Sequence, residues 1–171
     1  VYAGMEYRDV WVMQRWARGA GVTGIAAPPG VRAMHADDLD AVTALDARAF
    51  GASRGWLVAS HAARGAAFAA VVEHDGEVRA ALLGRTGRVA TQLGPLVGDD
   101  EDHSIALLEH AVARIPGPIC LDVPERHGTL NAALVRLGFT VQRPFTRMAW
   151  RTDRIPGDPS RYFAAAGPEL G

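Results

Sequence analysis

Two stretches and one residue pair in this 171-residue chain combine types and spacings suited to chemistry. The first stretch is Thr91-Gln92-Leu93-Gly94-Pro95-Leu96-Val97-Gly98, followed by Asp99-Asp100-Glu101-Asp102-His103-Ser104. It reads as a strand, a tight loop and the start of an amphipathic helix, whose free backbone N–H groups commonly cradle a phosphate. Here four carboxylates stand where an anion would dock, so side chains already complement the helix start. The same acids are not a metal loop: an EF-hand needs alternating ligands, a mid-loop glycine and a late bidentate glutamate. His103 and His110, seven apart on that helix, have no third ligand spaced with them and are expected at the surface. The second stretch is Ile119-Cys120-Leu121-Asp122-Val123 with His127 beyond it. A carboxylate in an otherwise apolar strand must be paired, and Asp122 lies toward the carboxyl end, where open α/β sheets place ligands. Asp122 and His127 form a candidate general-base pair. The alternative is that Asp122 ties down the loop or pairs with an arginine such as Arg147. The pair is Asp46 and Arg54 on the first two helices, which a helix-surface ion bridge would explain. Trp56 at helical spacing reads as core, and Glu169 either reaches back over the sheet or belongs to a solvated flap.

The elements that must position these groups follow from pattern. Tyr7 to Trp16 is rich in strand formers, and the Gly/Ala/Pro stretch from residue 17 to 30 reads as a linker. A short strand over Val31–Met34 precedes a helix starting near Ala36, on which Leu39, Val42, Leu45 and Ala49 recur at helical spacing. Ser53 is the expected N-cap of a second helix running to Ala63. Three strands follow: Phe68–Glu73, Val78–Leu83 across an Asp75-Gly76 turn, and Val89–Val97. Ile105, Leu108, Val112 and Ile115 line one face of the next helix, which Pro116-Gly117-Pro118 ends. Ile119–Val123 reads as a buried central strand. A helix over Thr129–Leu137 stops at Gly138. Two strands, Phe139–Gln142 and Phe145–Arg151, lead to a tail with a short helix near Ser160–Ala165.

Composition narrows the function class. The length suits one domain. A formal net charge of −1 argues against a nucleic-acid partner. All 18 basic residues are arginine, so no lysine is available for Schiff-base chemistry. The single Cys120 forms no intrachain disulfide, sits in an apolar run expected to be core, and fits a reducing, cytoplasmic setting. No apolar run reaches membrane-spanning length.

The order of elements, the loop before the third helix and the ending Leu137-Gly138-Phe139 resemble the GCN5-related N-acetyltransferase (GNAT) superfamily. Arg32, Asp38 and Leu39 resemble its usual entry. Leu121-Asp122-Val123-Pro124, Arg143-Pro144-Phe145-Thr146-Arg147-Met148 and Ala166-Gly167-Pro168-Glu169-Leu170-Gly171 are similar to the C-terminal domain of tandem bacterial proteins of that type. The resemblance implies an α/β (α+β) fold, with a mixed, largely antiparallel central sheet flanked by helices. Residues 1–16 are then the tail strands of a preceding copy, 17–30 a linker and 31–171 the GNAT-like domain. Gly4 to Met13 is also weakly similar to Gly138 to Met148. The tail strands, deprived of their own sheet, are expected to pair across the end of the second block's sheet or to join another chain in a homodimer.

The superfamily transfers an acyl group from acetyl-coenzyme A to an amine. Its diphosphate loop normally carries a basic or glutamine residue and small residues, where this chain has Asp99 to Ser104. One like-charge contact at ~4 Å costs roughly 1 kcal/mol in water and about 4 kcal/mol at an effective dielectric of 20. Several of them outweigh the ~0.3–1 kcal/mol from a helix N-terminus. Leu134 stands where the superfamily often places a tyrosine acid. The resemblance therefore implies acetyl-coenzyme A for the parent protein and no cofactor firmly expected in this domain. It also places Asp46, Arg54 and Arg147 as substrate-binding candidates for a small-molecule or peptide amine, with an upstream GNAT domain as partner. The alternative is a non-catalytic binding or assembly module.

Overall fold

A computed structural model describes residues 5–21, 28–152 and 154–170, and the linker expected at 17–30 lies partly outside them. The chain enters on β1 (Tyr7–Arg18), then β2 (Val31–Ala33) and, after a turn of 3₁₀ helix at Ala36–Asp38, α1 (Leu39–Phe50) and α2 (Gly55–Arg64). A meander of β3 (Ala70–His74), β4 (Glu77–Thr86) and β5 (Thr91–Gly98) follows. The remainder is α3 (Glu101–Val112), β6 (Ile119–Pro124), α4 (Gly128–Arg136), β7 (Thr140–Trp150) and, after a second 3₁₀ turn at Pro159–Arg161, β8 (Tyr162–Ala164). The described residues form an eight-stranded sheet in the order β2-β3-β4-β5-β6-β1-β7, with β8 paired to β5 off that path. Only the β5–β6 neighbours run parallel. α3 makes the crossover such a pair requires.

Each helical layer arises from one hydrophobic stripe. Leu107, Leu108 and Ala111 on α3 and Leu130 and Leu134 on α4 pack with Leu82, Leu93, Leu121 and Phe163 in one cluster. Val42, Leu45 and Ala49 on α1 and Val58 on α2 pack with Val71, Leu83, Val97 and Tyr162 in another. The Asp75-Gly76 hairpin forms as expected, with both residues at positive φ (53° and 74°). Gly138, at φ 83°, ends α4.

Several expectations are corrected. β1 does not sit across the end of the sheet; it lies inside it. It pairs antiparallel with β6 from Met13↔Pro124 to Arg18↔Ile119 and with β7 from Tyr7↔Trp150 to Ala17↔Thr140. Met13 and Trp16 from this strand are 2% and 5% exposed, so the segment contributes core to both faces. Ladder bonding carries the strand on to Arg18, past the expected linker start at residue 17. Residues 140–150 are one strand, not two: among the described residues β7 has a partner only on its β1 side, so Pro144 withholds no N–H from an inner ladder. Arg54, not Ser53, is the N-cap residue of α2. Trp56 is 70% exposed, because the buried stripe of α2 falls on Leu57, Val58 and His61. His110 is buried and not at the surface. The tail holds a strand where a helix was expected, since Tyr162–Ala164 completes a gap beside β5.

Candidate functional site

The parallel pair β5–β6 is in register only over Thr91↔Ile119, Gln92↔Cys120 and Leu93↔Leu121. Beyond Leu93 the two strands part, opening a crevice at their carboxyl ends next to the start of α3. In open α/β folds such a crevice, beside a helix N-terminus, is where ligands are received. In this chain it is filled by the chain itself. β8 lies antiparallel to the second half of β5, pairing Leu96 with Ala164 and Val97 with Tyr162. On the other side the Ala165 N–H donates to the Asp122 carbonyl at 2.9 Å. Gly94, at φ +133°, permits this approach: a Cβ there would overlap the Ala165 carbonyl oxygen. Phe163 and Ala164 are buried, so the tail is packed into the core.

The acidic loop beside the crevice is committed to holding it shut. Asp100, the N-cap of α3, accepts from the His103 N–H at 2.8 Å, and its other oxygen lies 3.0 Å from His103 Nδ1. Asp99 is paired to Arg161 at the head of the tail and, at 3.6 Å, to Arg79 on β4. Glu101 accepts from the Leu130 N–H at 2.6 Å, capping α4 from the first turn of α3. Two of the four carboxylates, Asp99 and Glu101, thus stitch α3, α4, β4 and the tail together, and Asp100 caps α3 itself.

Asp122, fully buried, is held by a bidentate guanidinium: Arg15 Nε and Nη2 each lie 2.8 Å from its oxygens. Gln92 Nε2 adds a long contact at 3.4 Å. The Asp122 hydrogen bond raises the Arg15 pKa further. The expected partner was wrong in identity, Arg147, but right in kind. Pattern offered one signal: Arg15 lies two residues from Met13 and from Ala17, on the strand face that the core must cover. His127 is not joined to Asp122 as a general-base pair. Its Nε2 donates to the Tyr162 carbonyl at 2.9 Å, and its Nδ1 faces Glu101 at 3.6 Å. Burial pushes its pKa below the usual histidine value.

Asp46 and Arg54 are not a helix-surface bridge. Asp46 is 0% and Arg54 5% exposed, and they form a bidentate pair at 2.8 and 2.9 Å. Arg54 also donates to the Leu170 carbonyl at 2.7 Å, pinning the tail over α1. Arg147 stands apart from these pairs. Its guanidinium carbon lies 4.9 Å from the Trp11 ring centre, 5.1 Å from Tyr162 and 5.3 Å from Phe50. Among the described residues no carboxylate pairs with it. It lines a cavity of about 360 Å³ with Met13, Phe50, Phe145 and Leu170. Into that cavity's wall is set Tyr162, whose hydroxyl is buried without a hydrogen-bond partner among the described residues and whose pKa burial pushes up to about 12. Glu169 reaches back over the sheet to Arg85 at 2.8 Å, as one of its two expected placements had it. Cys120 is half-buried, less than a core residue would be, and burial pushes its thiol pKa up. Leu134 is fully buried in the α3–α4 layer. Among the described residues no three metal-ligating side chains cluster, and no helix is long and apolar enough to cross a membrane.

The sequence profile of the acetyltransferase (GNAT) domain matches residues 42–164. No curated protein is a match. Among solved structures, a putative GNAT-family acetyltransferase from Novosphingobium aromaticivorans is similar at TM-score 0.64 and 18% identity, over 86% of this chain and 69% of its own. A putative acetyltransferase from Pyrococcus horikoshii is similar at TM-score 0.70 and 19% identity, over 99% of this chain and 55% of its own. A GCN5-related N-acetyltransferase from Sphaerobacter thermophilus gives TM-score 0.65 and 18% identity, over 86% and 53%. The chain thus spans little more than half of the second and third of these chains. At such identities the likeness shows the mixed, mostly antiparallel fold.

Proposed function

The chain belongs to the GNAT acetyltransferase family, and from that premise we propose that it is the domain of a larger N-acetyltransferase that shapes the acceptor site without loading acetyl-coenzyme A itself. The observation that carries this reading is the filled crevice. A coenzyme diphosphate at the start of α3 needs free N–H donors and a tolerant charge. The donor at His103 is taken by Asp100, and the surrounding side chains are carboxylates. A pantetheine-like arm entering between β5 and β6 needs the space that Tyr162–Ala165 fills. The residues present therefore do not fit the cofactor.

What the domain offers an acceptor is the cavity around Arg147. Asp46 and Arg54 satisfy one another and brace its tail wall, so their part is positioning. Arg147, uncommitted to a carboxylate and stacked on three aromatic faces, is pre-organised to hold an anionic group of the amine-bearing acceptor. β1 supports the tandem arrangement: it precedes the domain in sequence, yet without it β6 and β7 would lose their shared neighbour. A strand contributed by a preceding copy meets that need. The decisive experiment is thiol release from acetyl-coenzyme A in the presence of a panel of small amines and amino acids. This chain is expected to give no turnover above the buffer rate, and saturable turnover would overturn the reading.

One observation favours the second reading, an assembly module. Tyr7, Val12 and Trp150 are 37%, 40% and 55% exposed on the β1–β7 ribbon, and Met5, just before β1, is 58% exposed. Apolar groups in that number along paired strands mark an association surface. Light scattering decides between a monomer and a dimer formed through this ribbon. Trp150→Ser is expected to abolish a dimer.

A further inference from the structure

A second concavity lies at the opposite ends of the same two strands. It measures about 650 Å³, a small-molecule size, and is walled by the beginnings of β5 and β6, the ends of β1 and β4, the start of β7 and the last turn of α2. Arg15, Arg18, Arg64 and Arg85 all line it, and among the described residues no carboxylate does. The two acids that touch these arginines stand outside the wall. Asp122 takes Nε and Nη2 of Arg15 from within the core, and Glu169 takes one nitrogen of Arg85 from the tail. Among the described residues Arg18 and Arg64 have no carboxylate partner, so two positive charges in the wall are left uncompensated. Gln92 and Gln142 supply neutral polar groups beside them.

We infer that this pocket binds a small phosphorylated molecule. Guanidinium groups from two strands and a helix converge on one concavity, and planar forks suit phosphate oxygens bidentately. A monocarboxylate would leave part of that charge unmatched, whereas a phosphate carries close to two negative charges. The amide groups suit a polar body. A nucleic-acid strand is a poor occupant, because the chain as a whole has a net charge of −1 and so lacks the general basicity of a nucleic-acid binder. The site is separate from the crevice at the start of α3, and the inference is independent of the role proposed for Arg147.

Calorimetry of this chain at low ionic strength tests it, with pyrophosphate, inorganic phosphate and succinate as probes. Pyrophosphate is expected to bind more tightly than phosphate, and succinate at least about tenfold more weakly than pyrophosphate. Arg64 is exposed on the last turn of α2 and braces nothing, so Arg64→Gln folds normally, as circular dichroism checks. Its pyrophosphate affinity should fall about tenfold, equivalent to ~1.4 kcal/mol for one lost charged contact. Arg48→Gln, the same change of charge at an exposed position of α1 outside that wall, should leave that affinity unchanged. The inference is overturned by absence of pyrophosphate binding at millimolar concentration, by equal affinity for succinate, or by an Arg64→Gln affinity equal to the parent's.

Discussion

Arg15→Met should destabilise this protein more than Asp122→Asn, although the two side chains share one pair of hydrogen bonds. The difference comes from what each substitution leaves behind. Asp122 is 0% exposed at its side chain and Arg15 20%. Removing the arginine strands a carboxylate in the core with only the Gln92 amide, at 3.4 Å, as a side-chain donor. Breaking a buried pair this way costs about 3–5 kcal/mol. Removing the aspartate's charge instead leaves a guanidinium that already reaches solvent and keeps a polar partner in asparagine, so the loss should be ~1–2 kcal/mol. The double variant should cost less than the two singles together, with a coupling of about 1–3 kcal/mol. Urea unfolding followed by far-UV circular dichroism reads all four proteins, with stability differences taken from midpoints at constant slope. Additive costs within ~0.5 kcal/mol, or a larger loss for Asp122→Asn, would refute the reasoning. Such a result would mean that β1 is not anchored to β6 through this pair.

Other perturbations test the rest of the structure. His61, His110 and His127 are buried, and desolvation lowers the pKa of each. A folded value below the unfolded ~6.5 means that their contribution is complete above about pH 6.5. It is lost as pH falls through that value toward the lowered folded ones, so Tm should drop between pH 7.5 and 5 and His110→Leu should flatten the drop. Gly94→Ala forces a side chain into the Ala165 carbonyl at φ +133° and should cost ~3 kcal/mol or more. Amide exchange in residues 162–166 should rise with it, and an unchanged exchange pattern would place the tail elsewhere. Trp16→Ala, at a position 5% exposed, should cost about 3–5 kcal/mol in the same urea assay. Trp56→Ser, at one 70% exposed, should stay within ~0.5 kcal/mol.

Local patterns were legible wherever one period dominated. The helices beginning near 36, 55, 101 and 128, the Asp75-Gly76 hairpin and the Gly138 stop all follow from spacing and backbone preference. Misreadings arose where tertiary pairing overrode local signals. Pro144 marks a break only if the strand has neighbours on both sides, and β7 has one. Tyr162–Ala164 is too short to declare a period, and its conformation is set by the open side of β5. Trp56 looked like core because size and spacing say nothing of which helix face meets the sheet. The need for a partner at Asp122 was legible from the burial of its strand; that the partner was Arg15, 107 positions earlier, was a matter of register. The acidic loop was read correctly as a self-capped helix start, but the roles of Asp99 and Glu101 in tying down the tail and α4 depend on contacts that only the fold creates.

The proposed closure of the carboxyl-end crevice to coenzyme A rests on the tail strand β8 filling it. Titration calorimetry of this chain with acetyl-coenzyme A tests it most directly, with Asp99→Ala and Gly94→Ala run in parallel to loosen the tail. No saturable heat is expected for the parent chain at millimolar ligand. A micromolar Kd for the parent chain, with the diphosphate placed on the N–H groups of residues 99–104 by a crystal of the complex, would contradict it.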